Sequence, residues 1–143
     1  MDRRELATAI HRASHLTGES RLRSGAVSNH YFEKCRLESD PKLLRTIVEA
    51  LVKLVPADTQ MLAGLELGGV PVAMMLSQVT GLPAVFIRKA LKSYGTCCLA
   101  EGGEIIGCRL LVVEDVVTSG GFRSSSLRKR CAIWEAKYRL RSA

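Results

Sequence analysis

Apolar positions recur along this chain with two different periods. Leu6, Ile10, Ala13 and then Leu16 or Thr17 stand three to four residues apart, which predicts an amphipathic helix over 2–17 that Gly18 ends. Residues 21–33 read as extended segments around a Ser24-Gly25 turn. Ser39-Asp40-Pro41 is a helix start, with a capping side chain and a proline in the first turn. Leu43, Leu44, Ile47, Val48, Leu51 and Val52 then fill one helix face up to Val55, and Pro56 closes it. The runs 61–65, 84–87 and 110–113 are short, continuous and apolar, so each reads as a buried strand. Gly68-Gly69 opens a turn into a further helix, 71–79. Strands alternating with helices predict an α/β fold, a mostly parallel sheet with helices on both faces. Ligands of such sheets sit beyond the carboxyl ends of the strands, and Glu66, Arg88 and Glu114 each follow a strand there.

A chain of 143 residues with 47% apolar content suits one domain with a proper core. Its apolar runs are too short to span a bilayer, and the Asp2-Arg3-Arg4-Glu5 opening does not read as a secretory signal. Cys35, Cys97, Cys98, Cys108 and Cys131 form no CxxC pair, which fits incidental thiols in a reducing cytoplasm. The three histidines are scattered along the chain without metal-ligand spacing. Of the net charge of +7, residues 122–143 carry +6, so the basicity belongs to a tail and not to the body of the domain. That placement points away from a specific nucleic-acid partner.

The most specific chemistry lies in Leu110-Leu111-Val112-Val113-Glu114-Asp115-Val116-Val117-Thr118-Ser119-Gly120-Gly121. Two carboxylates at the end of a strand can accept protons from ribose hydroxyls. Backbone amides and hydroxyls of the Gly-rich turn can cradle a phosphate. A core strand followed by an ordinary polar turn explains either half alone; the full pattern is more specific.

This stretch resembles the 5-phosphoribosyl-1-pyrophosphate (PRPP) signature of type I phosphoribosyltransferases. Three further segments are similar to orotate phosphoribosyltransferases in particular, and they occur in that family's order. Leu22-Arg23-Ser24-Gly25-Ala26-Val27-Ser28-Asn29-His30-Tyr31-Phe32 resembles its N-terminal segment. Gly64-Leu65-Glu66-Leu67-Gly68-Gly69-Val70-Pro71 resembles its pyrophosphate-side loop, and Arg88-Lys89-Ala90-Leu91-Lys92-Ser93-Tyr94-Gly95 its basic catalytic loop.

The resemblance implies a type I phosphoribosyltransferase fold over 1–121 and a transferase that joins orotate to PRPP. Its products would be orotidine 5'-monophosphate and pyrophosphate, in de novo pyrimidine synthesis in the cytoplasm. It further implies Mg2+ bound through PRPP with no direct protein ligand, and a homodimer with shared sites. Glu114 and Asp115 would face the ribose, and Val116, Val117, Thr118, Ser119, Gly120 and Gly121 would wrap the 5-phosphate. Arg88, Lys89, Lys92 and Tyr94 would meet the pyrophosphate, with Lys92, Glu114 and Asp115 catalytic. Residues 93–103, with Gly95, Gly102 and Gly103, have the composition of a mobile lid. Arg23, Ser24, Tyr31, Phe32 and Thr118 would shape the orotate side, although Tyr31 and Phe32 also suit a plain core role. Glu66 suits either orientation of a metal-bound water or a structural acid.

The chain departs from the family at four of these positions. Ala90 stands where many members carry Glu, Tyr94 where many carry His, and Arg23 where Lys is common. Gly68 stands where some carry a pyrophosphate-binding Lys. Residues 122–143 do not resemble the family, and their Arg-, Ser- and Lys-rich composition reads as a changed frame or a truncated product. On that reading the C-terminal strand and the orotate-contacting Arg are missing, and 122–143 is a basic tail of disordered composition. A PRPP-binding remnant without turnover is therefore the alternative function, and a purine phosphoribosyltransferase a more distant one.

Overall fold

The structure is a computed structural model that describes residues 1–22, 24–88 and 99–115. The tail 122–143, the phosphate turn from Val116 onward and the expected loss of a C-terminal strand lie outside those residues.

Asp2 and Glu5 form a capping box. Asp2 Oδ1 accepts from the Arg4 and Glu5 amides at 2.7 and 2.8 Å, and Glu5 Oε2 accepts from the Asp2 amide at 2.8 Å. The helix they start, α1 (Arg3–Ser14), ends at Ser14 and not at Thr17. Its apolar period continues, but His15, Leu16 and Thr17 pair instead with Phe32, Tyr31 and His30. They open β1 (His15–Arg21), which runs antiparallel to β2 (Val27–Phe32). Between the two strands the Leu22 amide donates to the Ala26 carbonyl at 2.8 Å, and Gly25 takes the left-handed φ of +88° that glycine favours. The hairpin also gathers the three histidines. His11 stacks on His15 with ring centroids 4.6 Å apart, and His15 Nε2 lies 3.1 Å from His30 Nδ1. Scattered in sequence, they are therefore contiguous in space.

One turn of helix that sequence periodicity did not predict, α2 (Cys35–Glu38), leads into α3 (Pro41–Val52). Asp40 caps α3 by accepting from the Lys42 and Leu43 amides at 2.9 and 3.1 Å. The chain then passes through β3 (Met61–Leu65), α4 (Gly69–Thr80) and β4 (Ala84–Ile87). A two-residue strand, β5 (Ala100–Glu101), precedes β6 (Leu110–Val113). Part of the expected lid is thus sheet edge, while 93–98 lie outside the described residues.

The four-stranded sheet has the order β5-β4-β3-β6, with β4 and β6 parallel to β3 and β5 antiparallel to β4. Alternation along each strand gives two apolar faces. On one, Leu62 and Val113 pack with Leu44 and Val48 of α3 and with Val72, Ala73 and Leu76 of α4. On the other, Ala63, Leu65, Val85 and Ile87 pack with Leu99, Ala100 and Ile105. That second face was expected to carry helices. Among the described residues it is covered by irregular chain, because the segment between β5 and β6 folds back across it.

The chain leaves β3 toward β4 on one side and returns to pair β6 on the other. The carboxyl ends of β3 and β6 therefore flank the point where strand order reverses, the usual location of a ligand crevice.

Candidate functional site

Parallel pairing aligns the carboxyl ends of β4, β3 and β6, and so places Arg88, Glu66 and Glu114 along one edge of the sheet. With strands about 4.8 Å apart, that edge spans roughly 10 Å. The Glu66 amide donates to the Ile87 carbonyl at 2.9 Å, which ties the ends of β3 and β4 together. Arg88 is positioned by its own amide, which donates to the Leu99 carbonyl at 2.9 Å, and by Glu101, 3.7 Å from its guanidinium.

The Leu67-Gly68-Gly69 turn comes back against the end of β6, and two glycines make this approach possible. A Cβ on Gly69 would strike the Val113 carbonyl oxygen, and one on Gly68 would strike the Asp115 carboxylate. Here the lack of a side chain leaves room for Asp115.

The two adjacent acids have opposite environments. Glu114 is exposed, whereas the Asp115 side chain is only 7% exposed and forms an ion pair with the Lys34 ammonium. Lys34 immediately precedes α2, and its pKa is raised chiefly by the hydrogen bond to Asp115. Glu38, the last residue of α2, completes the cluster. Burial pushes its carboxyl up to about 7, and hydrogen bonding to Asp115 adds to the shift. A cleft of about 240 Å³ opens here, with Phe32, Leu37 and Val72 as apolar lining and Lys34, Glu114 and Asp115 as charged lining.

Of the expected site residues, the fold gathers Glu114, Asp115 and Phe32 around this cleft and sets Arg88 on the same sheet edge. Ser24 lies at the hairpin tip, and Tyr31 does not line the cleft because it alternates with Phe32 along β2. Tyr31 and Phe32 are 38% and 44% exposed and belong to neither of the two described cores. Arg23, Lys89, Ala90, Lys92, Tyr94, Val116, Val117, Thr118, Ser119, Gly120 and Gly121 lie outside the described residues. Lys34, Glu38 and Glu101 were not expected. Lys34 and Glu38 sit four apart in a charged stretch, which is the spacing of one helix face, but one helical turn leaves no period to detect.

The proton on Glu38 has a measurable consequence. An unfolded Glu loses its proton near 4.5, while the folded residue keeps it to about 7. Between those values the folded chain binds the extra proton, so stability falls as pH rises through that window. Glu38→Gln is expected to flatten this slope when denaturant midpoints are compared between about pH 4.5 and about pH 7. Identical slopes in the two proteins would mean that Glu38 ionises as it does in water.

Known proteins give this geometry a context. No family model matches the chain. The orotate phosphoribosyltransferase of a Nocardioides species is 49% identical over 116 residues, which cover 81% of this chain and 65% of that protein. The chain spans less than two thirds of the length of the first curated relatives it matches. A crystal structure of orotate phosphoribosyltransferase from Mycobacterium tuberculosis H37Rv, in complex with Fe(III) dicitrate, superposes with a TM-score of 0.72 at 35% identity. That match covers 85% of this chain and 71% of the solved one. The same mycobacterial enzyme in complex with PRPP gives a TM-score of 0.67 at 32% identity, covering 85% and 68%.

Proposed function

This chain belongs to the orotate phosphoribosyltransferase family, and on that premise we propose that it transfers the phosphoribosyl group of PRPP to orotate. An orotate ring nitrogen, its proton given up to solvent, forms a bond to the anomeric carbon as the bond to the pyrophosphate oxygen breaks. Pyrophosphate leaves with the electron pair, and orotidine 5'-monophosphate is the product. This is a step of pyrimidine synthesis, and we place it in the cytoplasm. The observation that carries the reading is the pair of carboxylates at the end of β6, beside the glycine turn that follows β3.

The transition state develops positive charge on the ribose and negative charge on the leaving group. Glu114 and Asp115 suit the first task as hydroxyl acceptors that hold the ribose and favour its cationic character. The Lys34 ammonium beside Asp115 favours its ionised form, in which both oxygens accept. Arg88, together with Lys89, Lys92 and Tyr94, serves the second. Phe32, Tyr31, Ser24 and Arg23 are assigned to the orotate side, and Thr118 to both substrates. Mg2+ is a hard cation that binds through substrate phosphates and few carboxylates. The ion would be held by the PRPP phosphates, with Glu66 suited to orienting a metal-bound water, and it would neutralise charge on the pyrophosphate. Val27 and Tyr31 leave an apolar surface exposed on one face of β2, which supports association with a second copy of the chain.

The test is orotate-dependent release of pyrophosphate from PRPP and Mg2+ by the purified chain. We expect turnover that Lys92→Ala abolishes. A chain that releases no pyrophosphate and that PRPP does not stabilise against heat would overturn the assignment. PRPP stabilisation without turnover would restrict it to binding.

A further inference from the structure

The acid that the reaction needs at the ribose is held by two residues that lie far from it in sequence. Asp115 touches three elements at once: it ends the β6 strand, packs on Gly68 of the turn before α4, and pairs with Lys34 at the start of α2. Burial and the neighbouring Asp115 carboxylate together raise the pKa of Glu38, at the other end of α2. We propose that Lys34 and Glu38 are positioning residues for Asp115, holding its carboxylate in the orientation, against the Gly68 turn, from which it receives the ribose. This deepens the functional reading above and rests on it for the identity of the substrate.

The physical case is one of orientation and of proton placement. A lone aspartate on a chain turning away from a strand end has free rotation about two bonds. Here one side is closed by the Gly68 backbone, and an ammonium and a carboxyl occupy the others, so one arrangement is selected. Two acids side by side cannot both ionise cheaply. Lys34 borders Asp115 directly, so the shared proton falls to Glu38 and leaves Asp115 an acceptor for hydroxyls. Among the described residues, the charged groups acting on Glu38 are Asp115, Lys34 and Glu33. The charged residues of α1 and α3, which pack on α2, are all exposed. Because Lys34 is itself 40% exposed, replacing it should disturb the acid more than the fold.

Steady-state kinetics of the full chain and its Lys34→Gln, Lys34→Arg and Glu38→Gln variants test this, with carboxyl NMR titration of the ligand-free proteins. Lys34→Gln is expected to raise KM for PRPP about tenfold, with KM for orotate changed less than about twofold. Its melting temperature should stay near that of the parent, and Lys34→Arg should restore most of the loss. Glu38→Gln, which keeps a neutral hydrogen-bonding group, should leave KM for PRPP nearly constant with pH where the parent's rises above about pH 7. In the ligand-free protein the Asp115 carboxyl should titrate at higher pH once Lys34 is replaced. Equal effects on both substrates, no effect on PRPP, or an Asp115 titration indifferent to Lys34 would each overturn the proposal. If the parent chain neither turns over nor binds PRPP, the functional reading fails, and the NMR titration still decides whether the clamp exists.

Discussion

Gly69→Ala is expected to lower stability by about 3 kcal/mol and the melting temperature by roughly 10 °C. The added methyl would run into the Val113 carbonyl oxygen and stand 3.3 Å from the Glu114 Cα. Both obstacles are backbone, so no side chain can swing aside, and the start of α4 must separate from the end of β6. That separation opens the crevice at which strand order reverses, so PRPP stabilisation should disappear. Gly68→Ala is the matched control. Its methyl meets only the Asp115 carboxylate, which can rotate, so the melting temperature should change little while the Lys34 pairing is lost. Calorimetry on both variants, with and without PRPP, separates the two. A Gly69→Ala protein that melts like the parent would mean that the turn does not sit on β6 as described.

The contrast between those neighbouring glycines shows what the sequence could and could not convey. Strands 61–65, 84–87 and 110–113 were legible because each is a short apolar run between polar breaks, buried on both faces as a parallel sheet requires. Asp40-Pro41 made the start of α3 legible through its cap. Other features depend on partners that no local window contains. The helix period of 2–17 gave way after Ser14 to cross-strand pairing with β2, and β5 exists only by pairing with β4. The site divided in the same manner. Glu114 and Asp115 were visible as a motif, yet their different burial follows from the approach of α2. Lys34 and Glu38 carry no motif of their own, and only the fold brings them to Asp115.

That division between the two acids leads to the largest functional effect. Asp115→Asn is expected to reduce kcat/KM for PRPP by about a hundredfold, equivalent to about 3 kcal/mol of transition-state stabilisation. The amide is nearly isosteric but uncharged, so it loses a charge-assisted hydrogen bond to the ribose, worth roughly 1.5–3 kcal/mol, and the attraction to the developing cation. The fold should tolerate the change. Lys34 is partly exposed and can turn to water, so the lost ion pair should cost under about 1 kcal/mol. Glu38 should respond in the opposite sense. Without the Asp115 charge it loses the like-charge repulsion that helps to raise its pKa, while Lys34 still lowers it. Its titration should therefore move down from about 7 toward the ordinary carboxylate range, and the stability window that Glu38 governs should narrow from its upper end. Kinetics and carboxyl NMR on the same variant test both halves. Loss of activity with an unchanged Glu38 titration would break the link between the two carboxyls, and retained activity would remove Asp115 from the reaction.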